Sequence, residues 1–164
     1  MSQAKSPDGE SQRLAEYRWL SFDVVGTLID FEQGIVECLA EIATAEGVHL
    51  DEQHALASFA AAEDEQQRLT PELAFTQMLT PIYHRMAGEL ALPDSEEHSA
   101  QLRESIRRWP AFSDAPEMLA KLAQRYRLVA LTNADNWALR QMAATLGGPV
   151  RRRCHRRGRG SQQA

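Results

Sequence analysis

The sequence predicts an α/β protein whose sheet is interrupted by a helical insertion, and three observations carry that prediction. Two short apolar runs, at positions 19–25 and 128–132, each end in polar residues. The interval 31–109 between them has helical rather than strand periodicity. After it the order becomes helix, strand, helix, which is the alternation of a parallel sheet.

In chain order, residues 1–15 are rich in Ser, Gln, Asp and Gly, without periodicity, and read as a disordered lead-in. Trp19 to Val25 reads as a buried strand closed by a tight turn at Gly26-Thr27. Ile35, Val36, Leu39, Ile42 and Ala43 recur at helical spacing from Phe31 to Gly47. A second helix is expected from Asp51 to about Arg68. Pro71 suits the first turn of a third reaching toward Leu90, and Pro93-Asp94-Ser95 precedes a fourth running to Trp109. Glu117 to Arg125 reads as a short helix with Met118, Leu119 and Leu122 on one side. Leu128 to Thr132 is a second buried strand, and Asn133-Ala134-Asp135 caps a helix that ends at Leu146.

At 164 residues, 43% of them hydrophobic and 25% charged, the chain suits one domain or a small core with an insertion. No run approaches the roughly 18 apolar residues of a membrane span, and Met1 to Gln12 lacks the apolar centre of a secretory signal. A cytoplasmic protein without a membrane partner is expected. Cys38 and Cys154 form no CxxC pair, so neither a disulfide framework nor a cysteine zinc site is expected. His49, His54, His84 and His98 lack metal-ligand spacing, and neither a metal nor another cofactor is expected. Trp19 and Trp109 are assigned to packing, and Trp137 to either packing or the rim of a site. Glu63-Asp64-Glu65 reads as a solvated helix face.

Charge is unevenly distributed. Six of the 18 basic residues lie in Arg151 to Ala164, which holds no acid, so the preceding residues carry all 23 acids against 12 bases. An arginine arm for nucleic acid is disfavoured, because the body is acidic and no aromatic residues interleave the arginines.

In open α/β sheets, chemistry gathers at the carboxyl ends of strands. Two such ends are polar here: Asp23 with Gly26-Thr27, and Thr132-Asn133. An aspartate inside an apolar strand is costly unless hydrogen-bonded or functional. It is either accepting bonds from its own turn or acting as a nucleophile beside a hydroxyl and a carboxamide that hold an anion.

The run Phe22-Asp23-Val24-Val25-Gly26-Thr27-Leu28-Ile29-Asp30, followed far downstream by Phe112-Ser113-Asp114-Ala115-Pro116 and Leu131-Thr132-Asn133, resembles the haloacid dehalogenase (HAD) superfamily, in its 2-haloacid dehalogenase branch. The resemblance covers roughly Arg18 to Val150. It implies a partial Rossmann-like core at 16–30 and 110–148 with an inserted α-helical cap at 31–109. It also implies a hydrolase in which Asp23 is the nucleophile, Thr132 and Asn133 orient a small anionic substrate, Gly26 permits the turn and Thr27 braces it. Family phosphatases carry a second Asp two residues after the nucleophile, where this chain has Val25. Valine cannot protonate a leaving group, which favours expulsion of halide over phosphate-ester hydrolysis. The branch also uses an arginine early in the cap to receive the halide; Phe59 to Asp64 holds none, and Arg68 is the nearest.

The resemblance further implies a later lysine and an acidic cluster. The only lysines are Lys5 and Lys121, and no acid follows Asp135. Codons for Pro149 to Ala164 read one base later permit an acidic segment ending in Lys-Pro, as a family member would have. A frameshifted tail at 149–164 is therefore expected, on a chain that is C-terminally truncated and inactive as written. The alternatives are a phosphatase-type hydrolase and a non-catalytic fragment that at most binds an anion or a partner, with self-association through an incomplete sheet.

Overall fold

The computed structural model describes residues 16–148 and the backbone of a short strand at Arg152–Cys154. The lead-in at 1–15 and most of the arginine-rich tail, including the expected frameshift, lie outside the described residues. The elements are β1 (Trp19–Phe22), α1 (Phe31–Glu46), α2 (Glu52–Leu69), α3 (Phe75–Ala87), α4 (Glu96–Glu104), a 3-10 turn (Ser105–Arg108), α5 (Ala115–Ala123), β2 (Arg127–Leu131), α6 (Asn136–Thr145) and β3 (Arg152–Cys154). The three strands are parallel in the order β1-β2-β3. Phe22 pairs with Ala130, and Leu131 with Cys154.

Helix starts follow local chemistry. The side chains of Asp30, Asp51, Ser95 and Asp135 accept from first-turn amides and cap α1, α2, α4 and α6. Entry to and exit from the helical segment run side by side: Asp30 N–H donates to Pro110 O at 2.9 Å and Phe112 N–H to Leu28 O at 3.1 Å. Ile29 and Ala111 form an antiparallel bridge between them. One continuous core joins Val24, Leu28 and Ile29 to Ile35, Leu39 and Ile42 of α1, Leu79 and Ile82 of α3, and Leu128 and Ala130 of β2.

Several expectations need correction. Pro71 lies in a turn, and α3 starts only at Phe75, behind Ala74, whose methyl side chain can accept no amide. The fourth helix leaves α geometry at Glu104 and tightens into the 3-10 turn, where Ser105 Oγ donates to Leu102 O. On α5, Leu119 is buried but the adjacent Met118 is exposed, since neighbours on a helix point about 100° apart. β1 ends at Phe22 and is not buried: it alternates exposed and half-exposed because β2 is its one strand neighbour among the described residues. Trp19 is accordingly 45% exposed, with the Arg127 guanidinium carbon 5.2 Å from its ring centroid. Glu63 is half-buried, which raises its carboxyl above the usual range. The tail, expected at 149–164, contributes β3 at Arg152–Cys154.

Candidate functional site

The site begins where β1 stops. Val24 is fully buried, and its carbonyl accepts from the amides of Thr27, Leu28 and Ile29 at 3.3, 2.9 and 3.0 Å, so the chain after Asp23 folds back at once. That turn requires φ of +80° at Gly26, a region that L side chains rarely adopt, and a Cβ there would also sit 3.3 Å from Phe31 Cε1. The result is an exposed Asp23 at the strand's carboxyl end, with the Thr27 hydroxyl donating to its Oδ2 at 2.9 Å. Among the described residues no hydrogen bond is donated to its Oδ1.

Beneath the turn, Phe31 packs against Phe59 and Trp109 at ring-centroid distances of 6.5 and 6.3 Å, and Phe75 meets Trp109 edge-on at 6.0 Å. These rings come from α1, α2, α3 and the return to the core, so the helical segment supports the Asp23 turn directly.

β2 delivers the second half of the site. Because Phe22 and Ala130 are in register, Asp23 and the Thr132-Asn133 pair leave the same end of neighbouring parallel strands, which lie about 4.8 Å apart. Thr132 is buried and its hydroxyl accepts from Ala134 N–H at 3.1 Å, so that oxygen braces the loop; Asn133 is exposed. Leu131, 48% exposed, adds apolar surface at this end. Val25 is half-buried and bridges to Ile29 through its backbone, and it offers no proton.

Other sequence candidates stand apart. Arg68 is exposed on α2 and donates to Glu65 at 2.7 Å and to Asp64 O at 3.3 Å. Lys121, the one lysine among the described residues, pairs with Glu117 on α5 at 2.5 Å. Trp137 is half-buried with the Arg107 guanidinium 5.0 Å from its ring, so it joins α6 to the 3-10 turn. No group of three or more His, Cys, Asp or Glu able to hold a metal occurs among the described residues, and no helix there is long and apolar enough to cross a membrane.

One contact near the site has no counterpart in the sequence reading. Asp135 was read as a cap, and it does accept from Trp137 and Ala138 N–H at 2.9 and 3.0 Å. Its other oxygen accepts from the amide of Thr76 at 3.1 Å and, in a short contact, from the Thr76 hydroxyl. Burial acts to raise this carboxyl, but the Thr76 hydroxyl and the amides of Ala138, Thr76 and Trp137 outweigh it and hold the group below the usual aspartate range. No local signal marks Thr76, which is 59 residues away.

A parallel sheet with helices inserted after its first strand, and polar residues at the ends of β1 and β2, gives the chain the fold seen in HAD hydrolases. Within that class the fold is 2-haloacid dehalogenase-like. The chain is similar to the HAD-hydrolase YfnB of Bacillus subtilis (17% identity, TM-score 0.68, 84% of this chain and 64% of that one). It is also similar to the L-2-haloacid dehalogenase of Xanthobacter autotrophicus (20%, 0.66, 83% and 55%). A defluorinating L-2-haloacid dehalogenase matches at 18% and 0.72, over 84% of this chain and 59% of that one. The chain thus spans less than two thirds of the length of these structures. No protein-family model and no curated protein matches the sequence.

Proposed function

We propose that this chain carries the nucleophile half of a 2-haloacid dehalogenase-like site, acting on a small halogenated carboxylic acid. The observation that carries the reading is Asp23, exposed at the carboxyl end of β1, steadied on one oxygen by Thr27 and adjacent to Thr132-Asn133. A carboxylate oxygen of Asp23 attacks the halogen-bearing carbon, a C–O bond forms as the C–halogen bond breaks, and the electron pair leaves with halide. Asn133 holds the substrate carboxylate. Water then attacks the carbonyl carbon of the resulting ester, regenerating Asp23 and releasing the hydroxy acid.

The solved structures support the first step. One similar structure is of the Xanthobacter autotrophicus enzyme with chloropropionic acid covalently bound. Val25 supports halide as leaving group, since halide departs without a proton and a phosphate ester's alcohol does not. The second step lacks support from the described residues, where Lys121 is committed to Glu117. The chain as it stands is therefore expected to react once and turn over slowly.

The test is halide release from 2-chloropropionate and phosphate release from a generic phosphate ester, for the wild-type chain and Asp23→Asn. Halide stoichiometric with protein, absent in Asp23→Asn, is the expected result. Asp23-dependent phosphate release would favour the phosphatase reading, and neither product would leave a protein that only binds an anion.

A further inference from the structure

We propose that Asp135 is a positioning residue that couples the helical segment to Asn133, so that the anion-binding end of β2 is aimed by helix α3. The inference rests on the reading of Asn133 as a substrate contact and adds what holds that contact in place.

Two helix N-termini converge on this one carboxylate. α6 is capped through Asp135 Oδ1, by the amides of Trp137 and Ala138. α3 has no cap of its own, since Ala74 offers no acceptor and no acid occupies its first turn. Thr76 N–H and Oγ1 both donate instead to Asp135 Oδ2, across the chain. An acceptor shared by two positive helix ends is held by charge-assisted bonds, stronger than neutral ones. Asn133 lies two residues before it, and the intervening Ala134 is fully buried with its amide bonded to Thr132. The segment 132–135 is therefore fixed at both ends, and its far anchor is on α3. A displacement of α3 relative to the sheet is transmitted to Asn133 through one side chain.

Two variants separate this role from simple support. Thr76→Val removes the hydroxyl donor and leaves the α6 cap intact. Asp135→Asn keeps an amide oxygen able to cap α6, because Asn caps as well as Asp, but gives up the carboxylate facing Thr76. Thr76→Ser restores the hydroxyl and is the conservative rescue.

The experiment follows the Asn133 side-chain amide by nitrogen-15 NMR in the full chain, with and without propionate, a carboxylate that lacks a leaving group. In wild type and Thr76→Ser the amide pair should occupy the same position and propionate should bind alike. In Thr76→Val and Asp135→Asn the pair should shift or broaden, and propionate should bind about tenfold more weakly. An Asn133 signal unchanged in both variants while their melting temperatures fall would overturn the proposal, since Asp135 would then support the fold and not the site. If propionate binds no form, the substrate role of Asn133 fails, whereas the ligand-free shift still decides whether Asp135 positions it.

Discussion

Replacing Gly34 by alanine sets two known effects against each other, and the structure decides the sign. Gly34 is buried in α1, where alanine should by helix propensity gain about 1 kcal/mol. A Cβ at this position, however, would lie 2.1 Å from Cδ1, 2.5 Å from Cγ and 2.8 Å from Nε1 of Trp109. The indole cannot easily yield: it is 1% exposed, flanked by Phe31 and Phe75, and its Nε1 donates to Ser105 Oγ at 3.0 Å. Overpacking of this kind costs about 1–3 kcal/mol or more, and loss of the indole bond about 1 kcal/mol. The net expectation is destabilisation of about 1–3 kcal/mol, a fall in Tm of roughly 2–12 °C for a chain of this size. Thermal unfolding followed by circular dichroism measures it, with tryptophan emission reporting displacement of the ring. Gly88→Ala is the control, because a Cβ there meets open space at right-handed backbone angles and should be neutral or stabilising. A Gly34→Ala protein that melts higher than wild type would refute the packing of Trp109 against α1.

Thr27→Val removes the one side-chain hydrogen bond to Asp23 among the described residues, and should cut single-turnover halide release about tenfold with little change in Tm, since Thr27 is exposed. The depressed Asp135 carboxyl makes stability fall in acid. Its contribution is fully present above the unfolded-state value of about 3.9 and is lost as pH falls through the lower folded-state value. Denaturant titrations across that window should show a smaller loss in Asp135→Asn than in wild type. Cys38 is buried and its thiol is pushed up to about 11 by that burial, so peptide-resolved alkylation at pH 8 should label it only as fast as the protein unfolds.

What the sequence made legible was local chemistry. Asp51, Ser95 and Asp135 announce helix starts because a side-chain oxygen three residues ahead of an amide is a short-range feature. The site was visible for a related reason: Asp23 and Thr132-Asn133 are polar residues that end apolar runs. What stayed hidden depends on partners. An apolar β1 reads as buried whether or not a neighbour covers it, and Trp19 is half in solvent because of the strand's place in the sheet. Helix α3 begins late because its cap comes from Asp135, which no window around Pro71 contains. Nothing in Arg152–Cys154 has strand character by composition; β2 supplies the pairing.

The claim on which the account depends is that Asp23 is a nucleophile. Mass spectrometry of the chain after incubation with 2-chloropropionate tests it most directly. The peptide bearing Asp23 should gain a 1-carboxyethyl group, the substrate without its chlorine, as an ester, and Asp23→Asn should gain nothing. An unmodified Asp23 peptide, in a chain that nevertheless releases chloride, would contradict it.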